Sequence, residues 1–257
     1  MSLPIYISLT SIFQNQDELL LTLKSILNQS LKPNAIYLYL SSEPYLLDKG
    51  FAEEKITNSS LLNYISTNHI IIKWVKNIGP YRKLLPLLKD KWNEDCLIIT
   101  VDDDTEYHKD LVNNLYNDYI KYGCVINYRG FTPSCTTIQT LQYNNNSRSK
   151  TIKNQYIYNF PTGKGGILYH PKFFHKTGDI IFNEDYFNKA CPTNDDIWFC
   201  LLRIYNKIDC YIDNKPYMVK DNTNAEFALC VNYNNKDNLN NKYIKNCIDL
   251  FSKLWPA

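Results

Sequence analysis

The chain has 257 residues, 21% of them charged and 44% hydrophobic, with a formal net charge of +2. That composition excludes a disordered chain, and the balanced charge gives no ground for binding nucleic acid. No apolar run approaches the roughly 18–20 residues of a membrane span, and residues 1–10 run straight into a strand pattern without a basic leader, so a cytoplasmic setting is expected.

Ile5 to Leu9 reads as a strand, and the apolar spacing from Asp17 to Asn28 reads as a helix. Ile36 to Leu40 is the second strand, Leu61 to Ile65 lies in a short helix, and Ile70 to Val75 is the third strand. Arg82 to Trp92 is expected to be one helix, with Pro86 near its first turn, where a missing N–H matters least. Cys96 to Val101 is the fourth strand, and Lys109 to Tyr122 is a helix ended by Gly123. Strands alternating with helices predict an α/β fold with a mixed, mostly parallel sheet flanked by helices in a single domain.

The second half is less regular. Tyr143 to Lys153 is expected to be a polar loop, and Gly163 to Gly166 a tight glycine-dependent turn. Asn194 to Asn206 reads as a helix capped by Asn194. Asp221 to Asn241 is Asn-rich and is expected to be a mobile loop, followed by a last helix from Asn241 to Leu254. The eight cysteines include no C-x-x-C pair, and most sit in apolar segments (Cys96, Cys124, Cys200, Cys230), which predicts reduced core thiols.

Four segments carry chemistry. Asp102-Asp103-Asp104 closes a buried strand, where three carboxylates are costly unless something positive neutralises them. In an extended segment Asp102 and Asp104 face one side and Asp103 turns away, and hard oxygen ligands suit Mg²⁺ or Mn²⁺. A solvated helix-capping turn is the bland alternative. A phosphatase D-x-D-x-T/V motif is disfavoured because its fifth position here is Glu106. Asp195-Asp196 opens a helix, whose N-terminus favours the ionised form. An ionised Asp there suits a general base, though plain capping explains it equally well.

Asn77 to Lys83 places Arg82 and Lys83 at the start of a helix, where cations are unfavourable unless an anion such as a diphosphate lies nearby. Gly163-Lys164-Gly165-Gly166 permits close backbone approach to a ligand, with Lys164 available to phosphate or acceptor. It lacks the G-x-x-x-x-G-K-[ST] pattern of a P-loop. The four histidines show no metal spacing.

Taken in order, Ile7-Ser8-Leu9-Thr10-Ser11-Ile12, Ser25 to Pro33, Gly79 to Pro86, Thr100 to Asp104, Gly163 to Tyr169 and Asp195-Asp196-Ile197-Trp198 resemble the family-2-like, GT-A-fold nucleotide-sugar glycosyltransferases of bacterial and viral surface-glycan synthesis. The resemblance spans about Pro4 to Arg203. It implies a metal-dependent enzyme that moves a sugar from a nucleoside-diphosphate sugar, of UDP or GDP type, to a glycan or glycolipid hydroxyl with inversion. Residues 1–105 would bind the nucleotide sugar, residues 106–220 would hold the acceptor and catalytic groups, and 221–257 would add the loop and last helix.

The resemblance further implies that Asp102 and Asp104 hold Mn²⁺ or Mg²⁺. Asp103 or Asp102 contacts the ribose, and Thr10 and Ser41 line the nucleoside pocket. Asn77, Arg82, Lys83, Lys164 and Gly165 serve the donor, and Asp196, assisted by Asp195, is the base. Arg203 falls on the usual basic position of that helix. Leu40-Ser41-Ser42-Glu43 departs from the Asp-rich pattern common at the second strand end. Two other classes compete: a sugar-phosphate nucleotidylyltransferase, against which the stretch Thr10 to Gln16 lacks a Gly- and basic-rich loop, and a degenerate glycan-binding protein, against which both carboxylate motifs are intact.

Overall fold

The computed structural model describes residues 2–143 and 152–255. Its first half alternates strands and helices: β1 (Ile5–Thr10), α1 (Gln16–Leu27), β2 (Ala35–Leu40), α2 (Ser59–Thr67), β3 (Ile71–Trp74), α3 (Leu85–Asp90), β4 (Leu97–Thr100), β5 (Thr105–Tyr107) and α4 (Leu111–Tyr122). The second half holds β6 (Val125–Asn127), β7 (Gly130–Phe131), β8 (Lys153–Tyr156), β9 (Phe160–Pro161), β10 (Ile167–Tyr169), α5 (Glu184–Ala190), α6 (Asp195–Tyr205), β11 (Cys210–Asp213), β12 (Val219–Asp221) and α7 (Leu239–Leu254).

An eight-stranded sheet runs in the order β3-β2-β1-β4-β10-β6-β11-β8. The strands β3, β2, β1 and β4 are mutually parallel, as are β6 and β11. β10 runs antiparallel between β4 and β6, and β8 antiparallel on β11. The sheet is therefore mixed and mostly parallel, as the alternation of apolar runs and amphipathic segments predicts. The chain winds outward from β1 to β3 and then returns to place β4 on the other side of β1. Such a reversal opens a crevice at the carboxyl ends of the two strands. All four residues of β4 are buried, with Leu97, Ile98 and Ile99 fully inside the core.

Three local features differ from expectation for identifiable reasons. The helix expected over Arg82 to Trp92 is split into a 3₁₀ turn at Gly79–Lys83 and α3, because Pro86 has no N–H to bond back into the preceding turn. The segment after β4 is not extended: Asp103 and Asp104 form a turn leading into β5, which pairs antiparallel with β12 in a separate ribbon. Each of these strands has three residues, too few for a period to show.

The stretch expected to be a loop from Asp221 carries structure of its own, a π-helical turn at Cys230–Asn234 before α7 begins at Leu239. Of the polar loop expected at Tyr143 to Lys153, residues 144–151 lie outside the described residues, and Lys153 opens β8. The eight cysteines are all free, and seven are buried; Cys230, expected in the core, is exposed because it lies on the π-helical turn. Among the described residues, no helix is long and apolar enough to cross a membrane.

Candidate active site

A cavity of about 610 Å³ opens where β1 and β4 end. Thr10 and Ser11 leave β1 on one wall, and Val101 to Asp104 leave β4 beside them. Antiparallel β10 enters next to β4, so the Gly163–Gly165 turn before it reaches the same rim. α6 brings its first residues, Asp195 and Asp196, to the cavity wall as well. Asn194 caps that helix, its side chain accepting from the Ile197 amide, while Ile197, Trp198 and Leu201 anchor it in the core.

Lys83 joins the two acidic motifs. Its Nζ lies 3.0 Å from Asp102 Oδ1, 3.2 Å from Asp195 Oδ2 and 3.9 Å from Asp196 Oδ1. Burial works against its charge, yet Asp102, Asp195 and Asp196 together hold its pKa well above the ordinary lysine value. Burial pushes Asp195 up to about 7 against the pull of Lys83, with Asp196 and Asp102 adding to the rise. Asp196 is raised too, again by burial first and against Lys83. Both acids thus bind protons more tightly than an ordinary aspartate, whereas the sequence alone required no shift.

The Gly163 amide donates to Asp196 Oδ2 at 2.9 Å. Asp196 Oδ1 is buried and has no hydrogen-bond partner among the described residues, though 17% of the side chain remains open at the cavity wall.

The Asp102–Asp104 run divides its duties. Asp102 faces Lys83. Asp103 turns toward the first strand, accepting from Ser11 Oγ at 2.5 Å and Asn15 Nδ2 at 3.2 Å. Burial and then the Asp104 charge raise its pKa to about 7. Asp104 faces the rim, where Thr223 Oγ1 donates to it at 2.5 Å and Lys164 Nζ stands 3.8 Å away. Lys164 is bound chiefly to Asp221, at 2.5 Å, and to the Thr223 hydroxyl.

Among the described residues, no three His, Cys, Asp or Glu side chains converge as a self-sufficient metal cage. Mg²⁺-type ions commonly bind through one or two carboxylates with the remaining positions left to water and substrate phosphate. Asp104 and Asp102, both on the cavity wall and both hard oxygen donors, fit that mode.

Arg82 and Thr10 reach the cavity but are engaged within the chain. Arg82 lines the cavity, but its guanidinium is locked on buried Asp48, with Nη2 donating to Oδ2 at 2.9 Å. The anion expected beside Arg82 and Lys83 is therefore supplied by the chain itself: Asp48 for one, Asp102 and Asp195 for the other. Arg82 Nη1 is buried without a hydrogen-bond partner among the described residues. Thr10 lines the cavity and donates its hydroxyl to the Tyr39 carbonyl.

Ser41, Asn77 and Gly165 do not line the cavity; they stand one layer back. Asn77 ties the Glu43 carbonyl, Asp48 and the Gly79 amide together, and the Ser41 hydroxyl accepts from the Glu43 amide. Arg203 is fully buried on the carbonyls of Ile157, Ile208 and Asn159, far from any role at the cavity wall.

Sequence reasoning missed Asp48, Arg129 and Thr223. Asp48 carried a turn signal, an Asp whose side chain accepts from the Gly50 amide two residues on. That signal says nothing of its partner Arg82. Arg129 and Thr223 had no local pattern at all.

No protein-family model matches the chain, and no curated protein matches it significantly. Solved structures do. A structure of S. aureus TarS superposes with a TM-score of 0.52 at 14% identity, covering 82% of this chain and 35% of that one. TarS residues 1–349 in complex with UDP gives 0.50 at 13% identity, covering 82% of this chain and 57% of that one. The chain thus spans little more than half of the shorter TarS chain. At this identity the likeness establishes the fold, which is the GT-A type of mixed, mostly parallel sheet flanked by helices.

Proposed function

We propose that the chain is a metal-dependent glycosyltransferase that moves a sugar from a nucleoside-diphosphate sugar to an acceptor hydroxyl with inversion, in glycan biosynthesis. The observation that carries this reading is the Lys83 bridge. It brings an underhydrated base, Asp196, into one cavity with the carboxylates of Asp102 and Asp104. The GT-A-type fold and the UDP complex formed by a structural neighbour support the choice of a nucleoside diphosphate as ligand.

In this reading the nucleoside lies toward Thr10, Ser11 and Asp103, and the diphosphate lies at the rim beside the Asp104–Lys164 pair. Asp104 and Asp102 would hold Mn²⁺ or Mg²⁺, which when bound would supply charge neutralisation for the departing diphosphate. Asp196 accepts the proton of the acceptor hydroxyl as the oxygen forms its bond to the anomeric carbon. The bond from that carbon to the diphosphate breaks on the opposite face. The Gly163 amide fixes one Asp196 oxygen and so orients the carboxylate. Lys83 offsets part of the cost that burial places on ionising Asp195 and Asp196, and Asp195 in turn holds Lys83 in place.

A panel of UDP- and GDP-sugars with Mn²⁺ tests the reading through thermal shift and donor hydrolysis. One donor is expected to raise the melting temperature in a concentration-dependent way and to be slowly hydrolysed. A flat panel in both readouts would reject it.

A further inference from the structure

Four basic side chains line the cavity among the described residues: Arg82, Lys83, Arg129 and Lys164. Three of them already hold a carboxylate: Arg82 holds Asp48 at 2.9 Å, Lys83 holds Asp102 at 3.0 Å, and Lys164 holds Asp221 at 2.5 Å. Arg129 is the exception, with no ion pair among the described residues. There its guanidinium makes one hydrogen bond, from Nη1 to Thr162 Oγ1 at 2.7 Å. A guanidinium carries five N–H donors in a fork that matches phosphate and carboxylate oxygens. Arg129 is partly exposed, so the remaining donors are available to a ligand.

Its position is defined on several sides. The Thr162 amide and hydroxyl both donate to the Arg129 carbonyl at 3.0 Å. A Cβ on Gly165 would lie 2.6 Å from Arg129 Cβ, so only glycine lets the 163–165 turn close onto this residue. The same turn supplies the amide that holds Asp196, and Arg129 is among the charges that draw protons from Asp196. Arg129 therefore stands at the base, while Asp104 and Lys164 mark the diphosphate end.

We infer that Arg129 binds an anionic group of the acceptor, a phosphate or carboxylate near the hydroxyl that receives the sugar, and that the acceptor is an acidic saccharide. The inference rests on the glycosyl-transfer reading. Its electrostatic logic is local. The cavity wall carries the carboxylates of Asp102, Asp103, Asp104, Asp195 and Asp196, which repel an acidic acceptor unless a cation meets it beside the base. A donor diphosphate presents the same anionic oxygens, so the test must separate the two sources.

Galacturonate and glucose 6-phosphate are titrated against wild type, Arg129→Gln and Arg129→Lys, with galactose and glucose as neutral counterparts. UDP and GDP, each with Mn²⁺, are titrated on the same three proteins. The acidic sugars are expected to bind wild type about tenfold or more tightly than the neutral ones. Arg129→Gln is expected to erase that preference, Arg129→Lys to keep part of it, and UDP affinity to stay within about twofold throughout.

UDP binding by Arg129→Gln also reports that the variant is folded. An acidic-sugar preference that is missing from wild type, or unchanged in Arg129→Gln, overturns the inference. A loss confined to UDP binding overturns it too, by assigning Arg129 to the donor diphosphate. An intact Arg129-dependent preference for acidic sugars in a protein that binds neither UDP nor GDP rejects the transferase reading instead, while the anion site stands.

Discussion

The Lys83 ammonium lies 3.2 Å from a carboxylate oxygen of Asp195. One residue ends a 3₁₀ turn before α3 and the other opens α6. The same ammonium touches Asp102 after β4. Three distant pieces of chain are thus pinned at one point, and the charges there are mutually dependent. Removing Lys83 leaves the buried Asp195 carboxylate without its counterion, which is costlier than losing an exposed pair.

Asp196→Asn tests the base. The amide preserves shape and accepts no proton, so transfer is expected to fall by about 10²–10⁴-fold. UDP affinity is expected to stay within about twofold of wild type. Steady-state rates and UDP titration check both, and near-wild-type turnover would refute the assignment.

The pH dependence follows from the raised acids. The base works only when deprotonated, so activity rises with pH. With Asp195 near 7 and Asp196 also raised, the acidic limb of kcat is expected on the alkaline side of the ordinary aspartate value of about 3.9. The apparent pKa belongs to the Lys83–Asp195–Asp196 cluster as a whole. A pH–rate profile whose acidic limb sits near 4 would contradict this.

Stability should run the other way. Asp103 and Asp195 have folded-state pKa values of about 7, above the unfolded value of about 3.9. Their contribution is fully present below about pH 4 and is lost as pH rises toward 7, because the unfolded chain releases those protons first. The ligand-free protein is expected to show a component of its melting temperature that falls from pH 5 to 7.5, and Asp103→Asn to flatten it. Thermal melts across that range, wild type beside variant, give the answer; identical slopes in the two proteins would count against it.

Asp104→Ala probes the metal. UDP is expected to bind wild type more tightly with Mn²⁺ than without, and the variant to lose that difference. Calorimetric titrations with and without the ion check this, and an unchanged Mn²⁺ effect in the variant would remove Asp104 from the ligand set.

Gly163→Ala tests close packing at the bridge. A Cβ there would lie 2.6 Å from Lys83 Nζ and 3.1 Å from Asp102 Oδ1. Lys83 is held by three carboxylates and has little freedom to yield. Turnover is expected to fall by about 10²-fold, with a stability loss of about 1–3 kcal/mol. Kinetics and denaturant melts measure the two effects separately.

The parallel half of the sheet was legible because its strands read as apolar runs, most plainly in Leu97-Ile98-Ile99 of β4, which is buried on both faces. Asp102 to Asp104 stood out against that background, and Asn194-Asp195-Asp196 carried a helix-start pattern. The ribbon of β5 and β12 was hidden: Thr105-Glu106-Tyr107 has no period to detect, and its partner lies far along the chain. Arg82 and Lys83 were recognisable as charges needing a counterion. Which counterion they take is decided by tertiary contacts with Asp48 and Asp195, and no local pattern encodes those.

The antiparallel entry of β10 beside β4 makes the pairing of Ile167 with Thr100 a ruler for the site. A slip of one residue would carry Gly163 about 3.3 Å along the sheet and turn each β10 side chain to the other face. The Asp196 carboxylate would then lose the amide that orients it, with every charged residue still in place. Insertions or deletions between Gly163 and Tyr169 should therefore silence the protein as thoroughly as removal of an acid, through length alone.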